Sequence, residues 1–423
     1  MKTDPVKKSH RQKKEENKRM YAVGIDAAKG KSTVCILSQT GEVILHAKDY
    51  KHSSEELESM YETIEKLAKG KEVRVVMEAT GIYHWPIFLF LKEKGFFVSV
   101  INPLKMKSFV KDHNFRGVKT DKHDSKLIAL YGSERWYSLK DHKIEDDVYE
   151  KLKRLSRSYS SFQKPKIHLK QALDVQLEKS MPGIKEVFSD DMRLYDFVLR
   201  YVHFENIRKL SKKKFTDSFD LWAKKKGYRF VSSTPAKIYE LALTAIPTVP
   251  SDGLVKLIQE NLISSLKSIE EGINTILARM DELASSLPEY EILRKMPGAG
   301  EVLTPLLIAE IGDIRNYRSK KSLVSTAGID VPPYESGKLH GSKRVITKKG
   351  NSHLRRHLYL LLKLIHMSRY QSDPAIHDFM MRKSAEGKLY KQVLVAGMRK
   401  FLHIYYARVK EEYKRRGIWM IEH

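Results

Sequence analysis

An α/β layered N-terminal domain, a helical coiled-coil middle and a mostly α-helical C-terminal domain make up the fold class this sequence predicts. Three observations carry it. Residues 21–144 alternate strand-like and helix-like patterns, with strands first at hairpin distance and then separated by helices. Leu262, Leu266, Ile269, Ile273, Ile276, Met280, Leu283 and Leu287 keep an unbroken 4-3 rhythm. From residue 291 the chain returns to apolar helical stretches broken by Gly and Pro.

Within residues 21–144, "YAVGID" is a short apolar run that ends in an acid, and "STVCILS" and "EVILHAKDY" follow with "QTG" between them. "SSEELESMYETIEKLAKG" reads as a helix with Ser53 or Ser54 as N-cap and Gly70 as its stop. "EVRVVME" is a second buried strand ending in an acid. "IYHWPIFLFLKEKG" reads as a helix, "FFVSVIN" as a strand, and the stretch opening at Asp121 as a further helix.

Residues 145–290 form the coiled-coil region. Leu152, Leu155, Tyr159, Phe162, Leu169 and Leu173 begin it at three- and four-residue steps, doubled to seven between Phe162 and Leu169 where Pro165 interrupts. The later 4-3 seam suggests a dimer; the other reading is one amphipathic helix packed on its own domain. Between the two halves lies a basic insert, residues 185–250. There Phe215, Trp222, Tyr228 and Phe230 are interleaved with lysines, a pattern that suits phosphate contact plus base stacking, or else a solvated surface.

The chain has 423 residues, 41% of them hydrophobic, with 78 Lys plus Arg against 52 Asp plus Glu and a net charge of +26. A surplus that large predicts a polyanion partner, nucleic acid first; the other reading is a merely basic surface. The surplus is concentrated. From Gly337 to Ser372 there is no Asp or Glu, while nine Lys or Arg occur. Residues 1–20 read as a basic tail without the apolar core of a signal peptide. One cysteine, Cys35, excludes an internal disulfide and fits a reducing cytosol. No apolar run is long enough to span a membrane, and no GxxxxGK[ST] phosphate loop is present. The expected location is the cytoplasm.

Four acids stand out in this basic chain. Asp26 ends the first strand, Glu78 ends "VRVVM", and Asp121 and Asp124 lie one helical turn apart. An acid at the end of a buried strand lies at the sheet edge where α/β sites form. Four carboxylates meeting there would repel unless a divalent cation neutralised them, and hard oxygen donors suit Mg2+ or Mn2+. Two such ions about 4 Å apart activate an attacking oxygen and stabilise a leaving one at a phosphodiester. Each acid alone has a plainer reading: Asp26 capping a turn, Asp121 capping a helix that begins at Lys122.

The C-terminal domain, residues 291–423, opens with "MPGAGEVLTPLLIAEIG", a helix-hairpin-helix-like element whose turn can offer N–H groups to a phosphate, or an ordinary helix–helix turn. "PPYESGKLHGSKRVITKKGNSHLRRHL" places Ser336 before Gly337 in a loop and a helix start at Gly350-Asn351-Ser352. Lys338, Lys343, Arg344, Lys348, Lys349, Asn351, Arg355 and Arg356 are the expected nucleic-acid-binding residues. A loop serine among cations suits attack on phosphate, though Ser-Gly is more often just a turn.

"GIDAAK", "MEATGIYHWP" and "KTDKHDSKLIA" resemble the Asp, Glu, Asp, Asp motifs of the DEDD transposases, an insertion-sequence family that includes the Piv-type DNA invertases. "PPYESGK" and "ITKKGNSHLRRHL" are similar to that family's C-terminal motif. The departure is Ser125, where many relatives carry a small apolar residue. The resemblance implies a ribonuclease-H-like, resolvase-like N-terminal domain and Mg2+ or Mn2+ on Asp26, Glu78, Asp121 and Asp124. It implies Ser336 as the nucleophile, joined to a DNA phosphate, with Lys338 and His340 left as unassigned candidates for its base. Double-stranded donor and target DNA, an element-encoded bridge RNA and a dimer-to-tetramer assembly are the implied partners. The alternatives are a Mg2+-dependent Holliday-junction-type nuclease that uses water, and a non-enzymatic basic nucleic-acid-binding protein.

Overall fold

Alternating apolar residues set up the first sheet. Val23 and Ile25 face one way and Ala22, Gly24 and Asp26 the other, the two-residue period of a strand. The computed structural model describes residues 20–113, 120–142, 147–229, 231–331, 335–336, 339–340, 345–368 and 374–419. The chain divides into two compact units, residues 1–144 and 145–423.

In the first unit, β1 (Met20–Ala28), β2 (Lys31–Ser38) and β3 (Val43–Lys51) form an antiparallel meander. β4 (Glu72–Glu78) and β5 (Phe97–Ile101) then add parallel to β1, so the sheet order is β3-β2-β1-β4-β5. This is the expected α/β layering. α1 (Ser54–Ala68) is capped by Ser53, whose hydroxyl accepts from the Glu56 amide at 3.4 Å. It ends where Lys69 and Gly70 take positive φ. α2 (Trp85–Glu93) starts with Pro86 in its first turn, where a missing N–H costs nothing.

These two helices cover the face of Val23, Ile25, Val75 and Met77. α3 (Pro103–His113) and α4 (Asp121–Glu134) cover the other face. The contact between α4 and β1 is backbone on backbone. A Cβ added to Gly24 would stand 2.2 Å from the Ala129 nitrogen and 2.3 Å from the Ser125 carbonyl oxygen. Ser125 is fully buried in this seam, so the position that departs from the family pattern still holds a side chain small enough for it.

The second unit is helical. α5 (Asp147–Ser180) and α10 (Gly253–Ser285) run antiparallel, as Gln259 to Ser180, Glu270 to Lys166 and Gly272 against Phe162 show. α5 continues through Pro165, which lies on its exposed side. The 4-3 seam of α10 therefore closes on α5 of the same chain, burying Leu266, Ile273 and Met280. That corrects the expectation of a dimer seam: the amphipathic stripe has its partner within the chain.

The far ends of this pair belong to two cores. One core is built with α6 (Asp191–Tyr201), α7 (Phe204–Arg208), α8 (Lys212–Lys225) and α9 (Ser233–Thr244). Phe215 and Trp222 lie inside it, and the Tyr228 hydroxyl donates to Asp196. Phe215 and Trp222 are core, not base-stacking platforms, and Tyr228 packs half-buried against that core, which corrects the reading of the insert. Phe230 lies outside the described residues. The other core joins α11 (Pro288–Arg294), α12 (Leu303–Ile311), α13 (Lys320–Thr326), α14 (Ser352–Met367), α15 (Ala375–Ala385) and α16 (Tyr390–Arg415). Among the described residues no helix is long and apolar enough to cross a membrane.

Candidate active site

Parallel pairing of β1 with β4 runs to Ile25 opposite Met77. Asp26 and Glu78 are the next residues on each strand, so they come side by side at the carboxyl end of this pair. β1 itself continues to Ala28, two residues past Asp26, through its antiparallel partner. Both acids share the sheet face of Gly24 and Val76, which is the face α4 covers.

α4 brings the other two acids. Its N-cap is Thr120, whose hydroxyl accepts from the His123 amide at 3.2 Å. Capping is therefore done one residue before Asp121, and neither acid is needed for it. Both lie in the first turn, where the helix dipole favours negative charge.

The four carboxylates feel one another. Burial pushes the Asp26 carboxyl up to about 6, and the charges of Asp124, Asp121 and Glu78 push the same way, while Lys31 opposes them. Burial also raises Glu78, with Asp124 adding to it. Two residues escaped the sequence reading. The Lys31 ammonium stands 3.1 Å from Asp121 Oδ2 and 3.3 Å from Asp49 Oδ2. Asp49 in turn accepts from the Thr33 hydroxyl at 2.6 Å, which holds its carboxyl below the usual range. The signal was cross-strand register: Thr33 faces Asp49 and Ala28 faces Lys31.

Among the described residues no three His, Cys, Asp or Glu side chains are gathered tightly enough to hold one ion. The donor set still fits a hard divalent cation in kind. It consists of carboxylates, and their mutual repulsion at Asp26 marks a site short of positive charge.

In the second unit, Ser336 lies in the two-residue strand β6 (Glu335–Ser336), paired antiparallel with β7 (Leu339–His340), Ser336 opposite Leu339. Lys338, Lys343 and Arg344 lie outside the described residues. Lys348, Lys349 and Arg356 are exposed. Arg355 is half-buried and donates to the Ala327 carbonyl at 3.0 Å. Asn351 caps α14, its Oδ1 accepting from the His353 and Leu354 amides at 3.0 and 3.1 Å. Two first-turn N–H groups that could have met a phosphate are thus already bonded. The Pro297–Gly300 turn between α11 and α12 lines a cavity of about 850 Å3 with Arg294 and Lys295.

One unit thus carries four acids on a mixed sheet, and the other, helical unit holds Ser336 in a two-residue strand pair. Residues 23–182 match the DEDD transposase model of the IS110 type, and residues 290–380 match that of the transposase IS116/IS110/IS902 family. Between them the two stretches cover more than half of the chain. The chain belongs to the IS110-type DEDD transposase family.

It is 25% identical to the pilin gene-inverting protein of Moraxella lacunata over 344 residues, 80% of each chain. It is 23% identical to the insertion element IS116 uncharacterized 44.8 kDa protein of Streptomyces clavuligerus, over 92% of this chain and 94% of that one. A solved structure, T. thermophilus RuvC in complex with Holliday junction substrate, matches 28% of this chain and 96% of its own at 13% identity, with a TM-score of 0.22.

Proposed function

We propose that this transposase cuts and rejoins DNA through a covalent phosphoserine intermediate. Asp26, Glu78, Asp121 and Asp124 are the acids that would hold a divalent cation, Mg2+ or Mn2+, and the N-terminal unit is read as ribonuclease-H-like. The observation that carries the reading is the clustering of these four carboxylates at the carboxyl end of β1 and β4, in a chain of net charge +26. When bound, the cation supplies Lewis-acid stabilisation of charge on the reacting phosphate oxygens.

The Ser336 hydroxyl gives up its proton as its oxygen bonds to phosphorus and the bond to one deoxyribose oxygen breaks. That oxygen takes up a proton and becomes a free hydroxyl. In the rejoining step an incoming hydroxyl displaces Ser336, so phosphodiester bond energy is conserved and no nucleotide cofactor is consumed. Donor and target DNA are the substrates, with an element-encoded bridge RNA selecting both. Exchange between two duplexes calls for two to four copies of the chain. Lys348, Lys349 and Arg356 are the exposed cations that suit phosphate contact.

The test is covalent trapping. Full-length protein, the RNA transcribed from the element's flanking noncoding sequence, Mg2+ and labelled junction DNA are incubated and run on denaturing gels. An adduct in the wild type that is absent in Ser336→Ala supports the serine reading. Nicked DNA without adduct, made equally by Ser336→Ala, makes the chain a hydrolytic nuclease.

A further inference from the structure

Glu310 is a carboxylate deep in the second unit, 4% exposed, on a helix whose nine residues are all buried. Its Oε1 accepts from the Ser156 hydroxyl at 2.7 Å. Its Oε2 accepts from Asn351 Nδ2 at 2.6 Å and from Arg157 Nη2 at 3.0 Å. The Asn351 amide also donates to the Glu310 carbonyl at 3.2 Å. Three helices, α5, α12 and α14, thus meet at one carboxylate.

A buried carboxylate ringed by polar partners is seldom the most stable filling; apolar residues of the same volume often do as well or better. What such a hub supplies is one fixed arrangement. Here the arrangement concerns Asn351. Its own amide N–H donates to the Thr326 carbonyl at 2.6 Å. From that point two passes of the chain are laced together. The Lys348 amide donates to the Gly328 carbonyl and the Thr347 amide to the Asp330 carbonyl, both at 3.0 Å. The Thr347 hydroxyl donates to Asp330 Oδ1 at 2.7 Å.

Two glycines let the passes touch. A Cβ on Gly350 would stand 2.4 Å from the Thr326 oxygen and 2.6 Å from the Gly328 nitrogen. Gly328 itself takes φ +64°. In sequence, the segment between the two laced passes is the one that contains Ser336.

We propose that Glu310 is a positioning residue for strand cleavage. It fixes Asn351, and through Asn351 the paired root of the serine segment. This rests on the reading of Ser336 as nucleophile. The reasoning is geometric: an attacking group whose support shifts by about 1 Å loses on the order of 100-fold in rate, while DNA contacts elsewhere are untouched.

The test uses full-length Glu310→Leu, Glu310→Gln, Asn351→Asp and Ser336→Ala, with the same RNA, Mg2+ and labelled junction DNA. Glu310→Leu removes both side-chain acceptors, and Asn351→Asp sets two carboxylates against each other while Asp still caps α14. Glu310→Gln keeps an oxygen for Asn351 and can turn its amide onto the Ser156 hydroxyl, which accepts as well as donates. Single-turnover adduct formation is expected to slow by about 10- to 100-fold in Glu310→Leu and Asn351→Asp, with DNA affinity held within about twofold, and to slow least in Glu310→Gln. Hydrogen–deuterium exchange in residues 326–331 and 345–351 is expected to follow the same order.

Folded Glu310→Leu or Asn351→Asp that cleaves at the wild-type rate overturns the proposal, as does Glu310→Gln slowed as much as Glu310→Leu. So does unchanged exchange in Glu310→Leu and Asn351→Asp. Should Glu310→Leu not fold, Ser156→Ala removes one hydrogen bond and leaves the ion pair, and must show a smaller shift in the same direction. If Ser336→Ala cleaves normally, the nucleophile reading falls, while the exchange data still decide whether Glu310 holds the root.

Discussion

Gly24→Ala tests how the acidic site is held. The added Cβ would stand 2.2 Å from the Ala129 nitrogen, 2.3 Å from the Ser125 oxygen and 2.7 Å from the Ala129 Cα, where ordinary contact begins at 3.4 Å. Backbone atoms cannot rotate aside, so α4 must retreat from β1 by about 1 Å. Overpacking of this kind costs about 1–3 kcal/mol, which lowers Tm by roughly 2–4 °C per kcal/mol in a unit of this size. The same retreat carries Asp121 and Asp124 away from Asp26 and Glu78. A 1 Å misplacement is worth on the order of 100-fold in rate.

The assay is Mg2+-dependent cleavage of labelled junction DNA, run beside thermal melts. Gly253→Ala is the control, because a Cβ there meets nothing within 4 Å. Gly24→Ala is expected to cleave about 100-fold more slowly at a temperature where it remains folded, and Gly253→Ala to match the wild type. Wild-type cleavage and Tm in Gly24→Ala would refute the reasoning, because the close approach would then have no bearing on the acids.

Two further outcomes are expected. Asp26→Asn abolishes cleavage yet stabilises the cation-free protein at pH 7. Moving a carboxyl from 3.8 to about 6 corresponds to ~3 kcal/mol, reduced to about 1–2 kcal/mol by the group's partial exposure. The folded pKa is the higher one, so the wild type's margin is fully present below 3.8 and lost as pH rises through about 6; melts from pH 4 to 7 in EDTA should show that slope in the wild type and not in the variant. Trp222→Ala should cost about 3–5 kcal/mol in denaturant unfolding, as a core truncation does, and leave nucleic-acid affinity of the folded protein unchanged; a selective loss of affinity would return Trp222 to the binding surface.

Periodicity carried the first unit well. The strands of the meander, the cap at Ser53 and the helix opening at Asp121 all follow from two-residue and 3.6-residue patterns. What it could not carry was partnership. The 4-3 rhythm of α10 shows that a stripe must be buried, but not against which helix, and the partner is α5 of the same chain. The insert was legible and misread. Phe215, Phe219, Trp222 and Ala223 fall at i, i+4, i+7 and i+8, the spacing of a core face, and the lysines between them drew attention to charge instead. Lys31 and Asp49 are beyond a one-dimensional reading: Lys31 reaches Asp121 from strand to helix, and Asp49 reaches Lys31 across the strands.

The basic segment shows why a charge count overstates a binding surface. Nine Lys or Arg between Gly337 and Ser372 look like one footprint. Yet the Arg355 guanidinium lies on the Ala327 carbonyl, and Asn351 is bonded at its Oδ1, at its Nδ2 and at its backbone N–H. These groups hold the root of the serine segment. Exposed Lys348, Lys349 and Arg356 are different: each can release a counterion on meeting a phosphate, which steepens the salt dependence by about 0.9 per contact. On the proposed reading, the same short stretch combines two jobs that pull against each other chemically. Phosphate contact needs cations free in solvent, whereas a fixed root needs them bonded to carbonyls and carboxylates. Burial is what sorts the residues between the two.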